Sequence, residues 1–118
     1  MKNEFLPYDR ALKLKELGFD EPCIATHGYL ELYINTDDGH LKAPLYQQAF
    51  RWFREKHGIM HRLTSYAFGY QIHLDNTADF DFEFVDRRYD SGIDYKTYEE
   101  AELACLDKLI EIVESKNK

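Results

Sequence analysis

The sequence predicts an α+β fold: an antiparallel sheet of about four to five strands with three helices packed on one face, in the order α-β-β-α-β-β-β-α. Three observations carry this expectation. Apolar residues recur at helical spacing in three separate segments. Between those segments, short stretches alternate apolar and polar residues at period two. The strand stretches are joined by turns too short for the helical crossovers of a parallel sheet, so strands clustered between helices pair antiparallel under a helical layer.

The first helix spans about Tyr8–Leu17. Pro7 stands at its start, where the missing N–H costs nothing. Gly18 follows the last turn and Phe19 comes next, the pattern of a Schellman stop in which Phe19 packs on Leu14. Two short strands follow, near Cys23–Thr26 and Tyr29–Ile34. In the second, Leu30, Leu32 and Ile34 alternate with Tyr29, Glu31 and Tyr33. The run from Asn35 to Gly39 is a turn.

The second helix spans about Leu45–His57, opened by Pro44 and closed by Gly58. Leu45, Ala49, Phe50, Trp52 and Phe53 fall on one arc of it, and Gln47, Gln48, Arg51, Arg54 and Glu55 on the other. Residues 60–86 read as a strand meander. Phe68, Tyr70, Ile72 and Leu74 share one face of a strand, and beyond a turn at Asp75-Asn76-Thr77 the set Phe80, Phe82 and Phe84 does the same. Arg87–Lys96 reads as a polar loop. Thr97-Tyr98-Glu99-Glu100 is a capping box that starts a last helix, about Tyr98–Glu114. Its stripe is Ala101, Cys105, Leu109, Ile112 and Val113, with Leu106 on the flank and Glu102 inside the arc by angle.

A chain of 118 residues suits one domain, 1–118, and buries roughly two-thirds of its unfolded surface. Its apolar share of 44% is that of a globular protein, and no segment is of low complexity. Nine Tyr, eight Phe and one Trp are first of all core material. The net charge is −7, unevenly spread: residues 1–59 carry 8 Lys/Arg against 9 Asp/Glu, and residues 60–118 carry 7 against 13. Such a balance repels phosphate backbones and anionic membranes, which disfavours nucleic acid as a partner. Cys23 and Cys105 sit in apolar contexts and read as buried thiols of a reducing compartment. The opening residues lack the apolar run of a signal peptide, and no stretch approaches the ~18 apolar residues of a span. The expectation is a cytoplasmic protein.

Three blocks of the sequence resemble a family of small uncharacterised proteins encoded by phages and mobile elements of gut bacteria. They are Ala11–Cys23 (ALKLKELGFDEPC), Leu41–Lys56 (LKAPLYQQAFRWFREK) and Tyr95–Leu106 (YKTYEEAELACL), and the resemblance that they carry runs over most of the chain. The resemblance implies an accessory protein of such an element or its host. It carries no established activity.

The residues offer several candidate chemistries. His57 and His61 have the i,i+4 spacing of helical metal ligands, but Gly58 lies between them and ends the helix, so no metal site is expected. Asp37-Asp38-Gly39 and Asp75-Asn76 do not continue into a calcium loop. Asp79, Asp81 and Glu83 alternate on one strand face about 7 Å apart, the pattern of a solvated face, of a carboxylate pair, or of a mimic of nucleic-acid phosphates. Gln47, Gln48, Arg51 and Arg54 are side chains that read base edges, yet no helix-turn-helix partner precedes them. No nucleophile motif, phosphate loop or cofactor cradle occurs. The leading expectation is therefore a non-enzymatic accessory protein, without cofactor, that works through protein contacts with an unknown partner or a second copy of itself. Its contact face is expected at Tyr29, Tyr33, His73, Asp79, Asp81 and Glu83. The alternative is a nucleic-acid-binding or nucleic-acid-mimicking regulator.

Overall fold

The computed structural model describes residues 4–28, 31–34, 39–66, 69–76, 89–90 and 95–116. It is an α+β structure with antiparallel strands, as the sequence predicts, and its internal packing divides it into two compact units, Met1–Ala49 and Phe50–Lys118. Its described elements are α1 (Tyr8–Glu16), β1 (Ala25–His27), β2 (Leu32–Ile34), β3 (Leu41–Lys42), α2 (Tyr46–His57), β4 (Ile59–Tyr66), β5 (Gly69–Asn76), β6 (Tyr89–Asp90) and α3 (Tyr98–Lys116).

Three differences from expectation concern the strands. They form two three-stranded sheets rather than one, ordered β2-β1-β3 and β4-β5-β6. β3 is an extra strand of two residues, too short to leave a period in the sequence. β6 lies inside the stretch expected to be a polar loop, where pairing with β5 at His73↔Asp90 and Leu74↔Tyr89 makes it a strand.

In the first unit, α1 ends as its Gly-Phe signal dictates. Gly18 takes φ +106°, a conformation that glycine adopts without steric cost. Its N–H donates to the Lys15 carbonyl at 3.0 Å, and the Phe19 N–H reaches back to Leu14 at 2.9 Å, the paired bonds of a Schellman motif. Phe19 and Leu14 are both buried. β1 pairs with β2 in the register Ala25↔Ile34 and with β3 in the register Thr26↔Lys42. Leu32, Ile34 and Leu45 pack on the buried cluster Phe5, Ala25 and Ala43, so the alternation read in β2 puts its aliphatic residues inward. The segment before α1 is tied to this sheet through Leu6 N–H on the Pro44 carbonyl at 2.9 Å.

In the second unit, Phe50, Trp52 and Phe53 are buried and Arg51, Arg54 and Glu55 are exposed, the predicted amphipathic split of the second helix. Gly58 closes it at φ +69°. β4 and β5 pair along their whole length, from Ile59↔Asn76 to Tyr66↔Gly69. α3 packs on both strands and begins at the predicted cap, with the Glu100 N–H donating to Thr97 Oγ1 at 3.1 Å. Its buried stripe is Ala101, Cys105, Leu106, Leu109, Ile110 and Val113. Ile110 thus takes the core place expected of Ile112, which is half-buried, and Glu102 stays half-buried at the rim.

Candidate functional site

The first unit contains a cleft of about 250 Å³ between α1 and β3, lined by Ala11, Lys15, Phe19, Asp20, His40, Leu41 and Lys42. Each lining residue follows from local structure. Ala11 and Lys15 are one helical turn apart and share a face of α1. The Schellman turn brings Phe19 and Asp20 back beneath that face. Successive residues of β3 point to opposite sides, so Leu41 is buried and Lys42 exposed. Entry into β3 requires Gly39: a Cβ there would stand 2.5 Å from the His27 carbonyl oxygen. The Gly39 N–H donates instead to Thr26 Oγ1 at 2.9 Å, and the His40 N–H donates to the His27 carbonyl at 2.8 Å.

A polar cluster borders the cleft. The Tyr8 hydroxyl and His40 Nε2 are 2.7 Å apart, and the Tyr8 ring lies 5.5 Å from the His40 ring and 5.6 Å, edge-on, from the His27 ring. His27 is buried, and its Nε2 lies 2.8 Å from the Leu6 carbonyl. A carbonyl oxygen only accepts, so this contact fixes the proton on His27 Nε2. Lys42 Nζ donates to Asp20 Oδ1 at 3.1 Å and to the Asp20 carbonyl at 3.3 Å. The floor is therefore apolar and the rim mostly cationic.

Cys23, in the same unit, is half-buried and donates its S–H to the Glu21 carbonyl at 3.4 Å. Burial pushes its thiol up to about 11, against the opposing pull of the Lys42 charge. In the second unit, burial pushes buried Cys105 up to about 12, with the Glu102 carboxylate adding to the rise. Both are free thiols held protonated at neutral pH, which keeps them from acting as nucleophiles.

Of the residues expected to form a contact face, Tyr33 and His73 are described, one in each unit. Tyr33 is half-buried in β2, with its ring against Gly28, where a Cβ would come within 2.7 Å of it. His73, expected to be exposed, is 4% exposed in β5. As the central strand of its sheet, β5 buries Ile72, His73 and Leu74 in succession, so alternation does not turn His73 to water. Tyr29, Asp79, Asp81 and Glu83 lie outside the described residues.

On α2, Gln47, Arg51 and Arg54 are exposed. Gln48 is half-buried, and its amide donates to the Pro22 carbonyl at 2.8 Å. His57 and His61 sit on different elements. The His57 ring stands edge-on to Trp52 at 4.8 Å, and the His61 ring stacks on Phe50 at 3.9 Å. Burial lowers the pKa of both, that of His61 to about 4 with help from the Arg54 charge. Among the described residues, no group of three or more His, Cys, Asp or Glu is placed to hold a metal ion.

Sequence reasoning missed Tyr8, Lys15 and Lys42 as site residues. Each reads as a solvated residue of its own element, and the cleft arises only when α1 meets β3. Comparison with protein-family models, with curated proteins and with solved structures gives no match. Among the described residues, no helix is long and apolar enough to cross a membrane.

Proposed function

We propose that this chain is a non-enzymatic accessory protein of a phage or mobile element that acts through protein contacts. The observation that supports this best is the outer side of α1. Tyr8 and Leu12, one turn apart, are 39% and 38% exposed beside the cleft, and Ile24 of the same unit is 51% exposed. A tyrosine anchor next to an aliphatic side chain and a concave apolar floor is the composition of a contact surface. Burial holds the two thiols protonated, which supports a reading that uses neither as a nucleophile. Reading of bases by α2 loses support because the Gln48 amide is already committed to the Pro22 carbonyl.

Co-purification from the host, followed by sedimentation of the purified complex, tests the proposal. The wild-type chain is expected to sediment with a stoichiometric protein, either a partner or a second copy. Leu12→Glu, at an exposed position, is expected to release it without changing the circular dichroism spectrum. A wild-type chain that stays a monomer and retains no protein would overturn the proposal, as would a variant that binds as wild type does.

A further inference from the structure

The α1–β3 cleft has a ligand chemistry of its own. Its floor consists of Ala11, Phe19 and Leu41, which excludes a purely hydrophilic occupant. Two ammonium groups, Lys15 and Lys42, stand on its rim against one carboxylate, Asp20. Lys15 is exposed, and among the described residues it makes no ion pair. The Lys42–Asp20 pair is itself wet, with side chains 44% and 93% exposed, so an incoming carboxylate can compete for Lys42 at little cost. The Tyr8 hydroxyl fixes the ring of His40 at the same rim.

Size narrows the class further. Dedicated small-molecule pockets span roughly 300–1,000 Å³, and about 250 Å³ falls below that range. The space suits one or two side chains. A nucleic acid would bring phosphates but leave the apolar floor unused, and the chain carries −7 overall. We propose that the cleft receives a short segment of a partner protein in which a carboxylate side chain adjoins an aromatic or large aliphatic one. The apolar group fills the floor over Phe19 and Leu41, and the carboxylate meets Lys15 and Lys42 at the rim. This rests on the protein-contact reading and adds the chemistry of the contacting segment.

Fluorescence anisotropy of dye-labelled hexapeptides tests it. One probe alternates glutamate and phenylalanine. A second replaces each glutamate by glutamine, and a third replaces each phenylalanine by alanine. An oligouridylate of similar length is the nucleic-acid arm. The first probe is expected to bind wild type and to shift the backbone amide signals of Lys15, His40 and Lys42. Either replacement, or Lys15→Glu, is expected to weaken binding by roughly fivefold or more, while Lys15→Arg retains it. Equal binding of the glutamine probe, unchanged binding by Lys15→Glu, or tighter binding of the oligouridylate would each overturn the proposal. So would self-association that Lys15→Glu abolishes, since the occupant would then be a second copy. If the peptides fail but Leu12→Glu still releases a co-purified protein, the cleft chemistry is wrong and the contact reading survives. If that protein is also absent, both fall.

Discussion

His61 should make the second unit sensitive to mild acid. Its ring is stacked on Phe50 at 3.9 Å with planes 17° apart, and burial, aided by the Arg54 charge, pushes its pKa from 6.5 to about 4. A base whose pKa is depressed on folding stabilises the fold fully above its unfolded pKa. That stability is lost as the pH falls from 6.5 towards 4, because the unfolded chain takes up the proton first. Between pH 7 and pH 5 the linkage amounts to about 2 kcal/mol for a fully dry ring, and water at the half-buried His61 reduces it to about 1 kcal/mol. The lowered pKa of His57 acts in the same direction. Urea unfolding at pH 7 and pH 5, for wild type and His61→Phe, isolates the effect. The variant keeps an aromatic ring on Phe50 but cannot take up a proton, and both chains share every carboxylate. Wild type is expected to lose about 1 kcal/mol more than the variant. Equal losses would show that the His61 ring is not held neutral by its packing and would refute the argument.

Other substitutions test the fold and its sites. Trp52→Ala removes a 4% exposed ring set edge-on to Phe53 and His57 and should cost about 3–5 kcal/mol in denaturant unfolding. Thr97→Ala, which deletes the acceptor of the Glu100 N–H, should cost about 1 kcal/mol by the same measurement. Gly39→Ala forces a methyl group to within 2.5 Å of the His27 carbonyl oxygen and should lower stability by about 1–3 kcal/mol while broadening the β1 and β3 amide signals. Cys105 is fully buried and its thiol is pushed up to about 12, so a thiol reagent at pH 7 should label it only on unfolding, as mass spectrometry of labelled peptides would show.

What the sequence made legible was local. The Gly18-Phe19 stop, the Thr97–Glu100 cap and the aromatic arc of α2 each depend on residues within about a turn of one another, and the structure realises all three. What stayed hidden depends on pairing between distant segments. Two-residue strands such as β3 and β6 contain no period, so the division into two sheets could not be read. His73 was misplaced because alternation reports burial only on a half-buried strand, and the centre of β5 is covered on both sides.

The candidate site belongs to the hidden class for the same reason. Alone, Lys15 is an exposed cation in the last turn of a helix, and Lys42 an exposed cation on a short strand. Helix-dipole complementarity accounts for the first and solvation for the second. Neither explanation requires them to share a rim above Ala11, Phe19 and Leu41. A charge kept only for solubility gains nothing from an apolar floor beneath it, whereas a charge that orients a bound segment does. The two roles therefore separate on substitution. If solvation is the whole role, Lys15→Glu changes neither fold nor binding. If Lys15 orients a ligand, the fold survives, and the loss of affinity appears only for ligands that carry both a carboxylate and an apolar group.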